Sequence, residues 1–159
     1  SETLFGPLNY WKYDEIRKLN IFIEQVGTSE VFDEVYKSKR LGEARWLRAY
    51  FYFNMAVRYG GVPLITVPQS LDDDEATLFV SRNTEKEVYD FVDAEMTAIF
   101  NDLPESHDGE PGRASKWAAK ALQSRSNLYA GSIARFGQVQ LNGVVGIPSS
   151  DENTYWQKS

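Results

Sequence analysis

The sequence predicts an all-α domain built from antiparallel helix pairs that are joined by long loops. Apolar residues recur at intervals of three and four positions over several segments, and Gly, Pro or capping residues bound each segment. No alternation of apolar and polar residues persists long enough to build a sheet. The predicted helices begin near residues 38, 84 and 115, and this uneven spacing is compatible with degenerate helix-pair repeats that carry loop insertions.

The first helix is predicted to begin behind Pro7 and to end at Gly27. Proline favours the first helical position, and glycine favours the position after a helix end. The apolar residues between them follow near-helical spacing: Leu8, Trp11, Ile16, Leu19, Ile23 and Val26.

A second helical region is predicted from about Ser29 to Tyr59, with a break near Ser38. Its second half is apolar on several sides and is therefore expected to lie between neighbouring elements. The glycines at 60 and 61 end the helix, and an extended segment over residues 62–68 follows because proline disfavours a helix at the preceding residue.

A loop with an acidic run at 72–75 is predicted next, over residues 69–81. The run lacks the alternating spacing of an EF-hand, so a solvated loop is favoured over a calcium site. Thr84 and Glu87 then form a capping-box pattern, and the helix that they start is predicted to end near residues 103–104.

Two further helices complete the prediction. Ser115 is expected to cap a helix that continues to about Phe136, after a loop over residues 105–112. The last residues, TYWQKS, resemble the first turn of another helix.

Composition excludes several functional classes. The chain of 159 residues has 23 acidic and 17 basic side chains, a net charge of −6, and this balance argues against a nucleic-acid partner. It has no cysteine and a single histidine, His107, which removes thiolate zinc sites and multi-histidine metal sites. Without a glycine-rich phosphate loop or a nucleophile elbow, no cofactor and no catalytic residue is assigned.

Charged residues inside the apolar second helix need partners. Glu43, Arg45, Arg48 and Arg58 are expected to form buried ion pairs or hydrogen bonds between helices. The tryptophans at 46 and 117 lie in alanine-rich helical contexts and are expected to pack in the core.

Aromatic residues at the start of the first helix are the candidate ligand contacts. Asn9, Tyr10 and Trp11 are assigned to a glycan-binding site, and Tyr13 shares their setting. Beside polar neighbours some rings should remain exposed. An aromatic ring can stack on the apolar face of a sugar, while an asparagine amide pairs with the hydroxyls. Packing in the core is the alternative interpretation of these rings.

A family resemblance appears at residues 43–49 (EARWLRA) and 59–64 (YGGVPL). These segments resemble the hallmark helix of the SusD/RagB family, the outer-membrane glycan-binding lipoproteins of Bacteroidetes. Further segments resemble family elements in the same order: Tyr13-x2-Ile16-x3-Asn20, residues 81–105, residues 112–131, and residues 155–158.

This resemblance implies both a scaffold and a function. The scaffold is a tetratricopeptide-like α-α superhelix, and residues 1–159 would form part of a single SusD-like helical domain within a longer chain. The implied function is non-catalytic binding of an oligosaccharide or polysaccharide at the outer-membrane surface. The implied partner is a SusC-type TonB-dependent transporter that receives the sugar, and an N-terminal lipid anchor outside this chain would supply the contact with the membrane.

The sequence is also compatible with two other functions. A generic helical-repeat scaffold would bind a peptide in its concave groove without binding sugar. A glycoside hydrolase would use two of the many carboxylates, although the sequence marks no two of them as facing each other.

Overall fold

The computed structural model describes residues 10–159. It contains α-helices α1 (Tyr13–Thr28), α2 (Glu34–Tyr59), α3 (Glu75–Leu78), α4 (Glu85–Ile99), α5 (Lys116–Phe136) and α6 (Glu152–Lys158). Two short 3-10 turns lie at Leu141–Gly143 and Ser149–Asp151. Within the described part of the chain, the one β-type pairing is an isolated bridge between Gln140 and Val145. The all-α prediction is confirmed.

Successive long helices pack against each other: α1 on α2, α2 on α4, α4 on α5, and α5 on α6. Contacts at both ends show that α2 and α4 are antiparallel. Ser38, near the start of α2, donates a hydrogen bond to Asp102 just beyond α4 at 2.7 Å. Arg82, just before α4, donates to the carbonyl of Tyr59 at the end of α2.

The core lies between these helices and combines aromatic rings with small residues. Alanines at positions 49, 56, 119 and 130 are almost fully buried, and their small side chains let the helix backbones approach closely. The larger buried side chains of the core include Ile16, Tyr52, Met55, Val88, Tyr89, Val92, Met96, Ile99 and Tyr155.

The first helix begins later than the sequence predicts. Pro7 lies outside the described residues, and α1 starts at Tyr13 behind Lys12, whose backbone is not helical. Trp11 therefore precedes the helix. Its segment is held on α2 instead, because the backbone N–H of Tyr10 donates to the Tyr59 hydroxyl at 2.7 Å. At the other end, α1 includes Gly27 and stops one residue later.

The second helix is unbroken at Ser38, so the predicted break is wrong. A serine inside a helix can compete for backbone hydrogen bonds, but the Ser38 hydroxyl is bonded to Asp102. The helix also begins later than predicted, at Glu34, where the Asp33 carboxylate accepts from the N–H of Tyr36.

Local capping signals were read correctly. Thr84 and Glu87 form the predicted capping box, and the Ser115 side chain accepts from the N–H of Ala118. The helix α5 ends at Phe136 as expected, whereas α4 ends at Ile99 and continues only as turns toward residue 103.

The predicted loop over 69–81 contains the one-turn helix α3. Asp74 of the acidic run caps this helix by accepting from the N–H of Thr77, and Asp73 accepts from the N–H of Ser70 in the preceding turn. Across residues 10–159 no cluster of three or more His, Asp or Glu side chains is arranged to hold a metal ion. In the same range no helix combines the length and the apolar character needed to cross a membrane.

Candidate functional site

Four aromatic residues form a surface cluster where the chain enters α1 and leaves α2. The indole of Trp11 lies parallel to the Tyr59 ring, with centroids 4.5 Å apart and an interplanar angle of 3°. The Tyr13 ring lies 5.9 Å from Trp11 at 21°. Trp11 is 48% exposed. We call Tyr10, Trp11, Tyr13 and Tyr59 the aromatic platform, because stacked rings present a flat apolar surface to solvent.

Hydrogen bonds fix the platform to the scaffold. The Tyr59 hydroxyl accepts the backbone N–H of Tyr10, and the Tyr13 hydroxyl donates to the carbonyl of Pro63 at 2.8 Å. Burial raises the pKa of Tyr13 well above the ordinary value for tyrosine, so its hydroxyl stays a donor at neutral pH. The ring positions are therefore set by α2 and by the extended segment that follows it.

The glycine pair after Tyr59 makes this arrangement possible. Gly60 has a φ of +74°, a conformation that residues with a Cβ rarely adopt. At Gly61 a Cβ would lie 1.9 Å from the carbonyl oxygen of Asn83. The chain thus turns sharply at the end of α2, and residues 62–68 run extended as predicted.

Three cations border the platform. The Arg58 guanidinium lies 4.3 Å from the centre of the Tyr10 ring, and the Lys12 ammonium lies 5.1 Å from it. Such distances are typical of cation–π contacts. Arg82 donates to the carbonyls of Gly61 at 2.7 Å and of Tyr59 at 2.5 Å, which ties the end of α2 to the start of α4.

The structure brings two of the three predicted contact residues together. Tyr10 is half-buried and Trp11 is exposed, and both belong to the platform. Asn9 lies outside the described residues. Sequence reasoning missed Tyr59, because its place beside Trp11 is a tertiary contact between residues 48 positions apart with no local signature.

Arg58 also differs from the prediction. It is exposed and donates to the Asn54 carbonyl of its own helix at 2.8 Å, so the prediction of a buried ion pair or an interhelical hydrogen bond at this residue is wrong. The helical spacing places Arg58 one turn beyond Asn54, near the end of α2, where solvent reaches it.

Arg45 and Arg48 of α2 form the predicted interhelical ion pairs. Glu95 of α4 accepts from Arg45 at 2.7 and 3.1 Å and from Arg48 at 3.1 Å. Burial alone would raise the pKa of Glu95, but the bonds and charge of the two arginines outweigh it and hold that pKa below its ordinary value. A carboxylate shared by two arginines in a buried setting is a structural element of this helix pair.

A cavity of about 830 Å³ opens beside this network, between α1, α2 and α4. The ionic side chains that line it already have partners: Lys37 pairs with Glu34, and Asp102 accepts from Ser38. The cavity therefore offers a ligand fewer free polar groups than the number of charged side chains in its lining suggests. It also lacks the stacked rings of the platform.

Glu43 forms ion pairs as expected, but they do not join two helices. It accepts from Nε and Nη2 of Arg113, which lies in the loop before α5, and it pairs with Arg40 of α2 itself at 3.0 Å. His107 lies nearby with its Nε2 2.8 Å from the carbonyl of Ala114. Together these contacts hold the loop between α4 and α5 against the N-terminal half of α2.

The two tryptophans predicted to be in the core behave differently. Trp46 is half-buried and stacks on Tyr50, with centroids 5.3 Å apart. Trp117 is 58% exposed, so the core prediction is wrong for it. It lies on the first turn of α5, where its ring meets Phe100 edge to face with centroids 6.2 Å apart and the Lys116 ammonium lies 5.2 Å from its centre.

Comparison with known sequences gives a consistent result. Residues 4–128 match the model of SusD-like proteins described as starch-binding and associating with the outer membrane. A SusD-like protein of Bacteroides ovatus is 32% identical over 118 residues, which cover 73% of this chain and 21% of that protein. The chain thus spans about a fifth of the length of the curated relatives it matches.

Solved structures agree with the sequence matches. A SusD-like protein of Bacteroides fragilis superimposes with a TM-score of 0.72 at 39% identity, over 82% of this chain and 26% of that one. A laminarin-binding SusD-like protein superimposes with a TM-score of 0.70 at 28% identity, over 81% of this chain and 28% of that one.

Proposed function

The chain belongs to the SusD-like family, and from this premise we propose that it captures an oligosaccharide or polysaccharide on the aromatic platform without catalysis. The observation that carries the proposal is the parallel stack of Trp11 on Tyr59, in which Trp11 remains 48% exposed. The laminarin-binding protein with a similar structure supports a glycan as the ligand class.

The chemistry of capture follows from the residue types. The C–H groups of a sugar ring form an apolar face that packs on an aromatic ring, and the hydroxyls around that face need hydrogen-bond partners. In this proposal Trp11 supplies the stacking surface and Tyr10 lines its edge. Asn9, the neighbouring residue in the chain, supplies an amide to the hydroxyls.

The scaffold gives the platform rigidity. The stacked rings come from the segment before α1 and from the last residue of α2, and the bonds of Tyr10 and Tyr13 hold these segments together. A rigid surface loses little conformational entropy when it binds, which suits the repeated capture of a flexible glycan.

We place this activity at the outer-membrane surface, with delivery of the glycan to a SusC-type TonB-dependent transporter and attachment through an N-terminal lipid. The family description supports the location, and the family resemblance supports the transporter and the anchor. Affinity purification of the full-length protein from its native membranes tests the partner: co-elution of the transporter is expected, and its absence after mild crosslinking would contradict this part of the proposal.

Calorimetry tests the glycan site directly. The full-length protein would be titrated with a panel of oligosaccharides, alongside Trp11→Ala and the matched control Trp117→Ala. Trp117 is also an exposed tryptophan, but it lies at the start of α5, near the N-terminal half of α2, whereas the platform lies at the C-terminal end of α2. The 26 residues of α2 span about 39 Å at 1.5 Å per residue. We expect binding in the millimolar to micromolar range, about −4 to −8 kcal/mol.

The two variants separate the outcomes. We expect Trp11→Ala to lose most of the binding and Trp117→Ala to retain it, with both proteins folded by circular dichroism. Unchanged binding in Trp11→Ala would move the site away from the platform. A folded protein that binds no member of the panel would contradict glycan capture.

A further inference from the structure

Two of the cations that border the platform, Lys12 and Arg58, differ in their partners from three arginines in the first half of α2. Arg40, Arg45 and Arg48 each have a carboxylate oxygen within 3.1 Å. In contrast, no carboxylate among residues 10–159 lies within ion-pair distance of Lys12 or Arg58. Both cations contact the Tyr10 ring instead.

The positive charge beside the platform is opposite in sign to the net charge of the chain. The sequence has an excess of acidic residues and a net charge of −6, whereas these two cations have no carboxylate partner among residues 10–159. Arg82 adds a third positive charge at the end of α2, although its bonds to two carbonyls are structural. The platform therefore combines a flat aromatic surface with cationic side chains at its border.

We propose that the glycan captured on the platform is anionic, carrying uronate or sulfate groups that Arg58 and Lys12 bind. This inference rests on the proposed glycan function and names the class of sugar. Uronate and sulfate both place anionic oxygens beside a sugar ring. In this proposal the ring packs on Trp11, and the anionic oxygens contact Arg58 and Lys12 beside Tyr10.

The geometry of Arg58 suits this role. Its Nη1 donates to the Asn54 carbonyl at 2.8 Å, which anchors one corner of the guanidinium on α2. The group is exposed, and a guanidinium can offer two parallel N–H donors to a carboxylate or a sulfate. Lys12, directly before α1, adds a positive charge on a flexible side chain.

A purely structural role for Arg58 makes a different prediction. Its position in the last turn of α2 complements the helix dipole, and its contact with Tyr10 holds the incoming segment. If these were its only functions, removing its charge would change the binding of neutral and anionic sugars by the same factor. A role in recognition changes only the binding of the anionic sugar.

Matched ligand pairs test the inference on the full-length protein. Each neutral oligosaccharide that binds would be compared with its derivative oxidised to the uronate at C6, and with its sulfated derivative, by calorimetry at low and high salt. We expect the anionic member to bind about fivefold more tightly at low ionic strength and the difference to fade at high ionic strength, as for exposed charge pairs.

Variants identify the groups responsible. In the double variant Lys12→Gln/Arg58→Gln, we expect the preference for the anionic member to vanish while the affinity for the neutral member stays within about twofold. Arg135→Gln serves as the control, because Arg135 is an exposed arginine in the last turn of α5 that pairs with Glu152. The control should keep the full preference.

Each remaining outcome is decisive. Equal affinity for the neutral and the anionic member, or a preference that survives in the double variant, would overturn this inference and leave glycan capture intact. Binding to neither member would overturn glycan capture and this inference with it. A preference for the uronate over the sulfate, or the reverse, would identify the anionic group.

Discussion

Asn20 of α1 accepts a hydrogen bond of 2.8 Å from Nη1 of Arg48 in α2. The same asparagine donates to the carbonyls of Ile65 at 2.9 Å and Val67 at 3.1 Å, and Arg48 donates to the carbonyl of Thr66 at 2.9 Å. These two buried side chains therefore join α1 and α2 and satisfy the backbone of the extended segment after the glycine turn.

Replacing Asn20 by Ala should destabilise the fold by about 2 kcal/mol, because two partly buried carbonyls and a buried guanidinium nitrogen lose a partner together. Urea denaturation of the full-length protein followed by circular dichroism measures the change. Asn101→Ala is the control, since Asn101 is exposed and its loss should change the free energy of unfolding by less than about 0.5 kcal/mol. Equal effects of the two substitutions would contradict the role assigned to Asn20.

Glu95→Gln should cost about 3 kcal/mol, since it leaves the charge of Arg45 and Arg48 uncompensated at a buried site. Chemical denaturation again provides the measurement. Glu105→Gln is a suitable comparison: its side chain is 72% exposed and pairs only with Lys116, and exposed pairs contribute little. A Glu95 effect as small as that of Glu105 would show that the arginines find other partners.

The same carboxylate predicts how stability depends on pH. Because the two arginines hold the folded-state pKa of Glu95 below the ordinary glutamate value of 4.5, its contribution to stability is fully present above that ordinary value and is lost as pH falls through the folded-state pKa. Stability should therefore decline below about pH 4.5, and it should decline less steeply in Glu95→Gln. Parallel curves for both proteins between pH 7 and pH 3 would assign the acid sensitivity to other groups.

Sequence reasoning succeeded where the controlling contacts are local. Thr84 and Glu87 lie three residues apart, and their capping box is present as predicted. The buried pairing of Arg45 and Arg48 could be expected because ionised groups in an apolar helix require partners, although the partner Glu95 could not be named.

The sequence-based predictions are wrong where a contact with a residue distant in the sequence determines the local structure. A break at Ser38 is avoided because its hydroxyl bonds to Asp102, which lies 64 positions away. Likewise Trp11 was assigned to the first helix because its spacing fits, whereas a tertiary stack on Tyr59 holds it before the helix. Periodicity carries no information on such contacts, so Tyr10, Trp11 and Tyr13 of the aromatic platform could be singled out from the sequence but Tyr59 could not.

Two glycines in different backbone settings should respond in opposite ways to alanine. Gly61→Ala should destabilise the fold by about 3 kcal/mol, because the new Cβ would collide with the backbone of Asn83. Gly27→Ala should stabilise it by about 0.5 to 1 kcal/mol, because Gly27 lies inside α1 with open space around its Cα. Thermal denaturation of both variants measures the difference, and a stable Gly61→Ala protein would contradict the close approach at the end of α2.

Tyr59 offers a test of the platform that leaves Trp11 in place. Tyr59→Ala removes the ring on which Trp11 stacks at 4.5 Å, so glycan affinity should fall at least tenfold, the equivalent of about 1.4 kcal/mol. Tyr59→Phe keeps the ring and removes only the hydroxyl that accepts the N–H of Tyr10, and its affinity should stay within about threefold. Calorimetry on both folded variants checks the contrast. If Phe and Ala weaken binding equally, the hydroxyl rather than the stacked ring positions Trp11, and the flat surface is not the source of affinity.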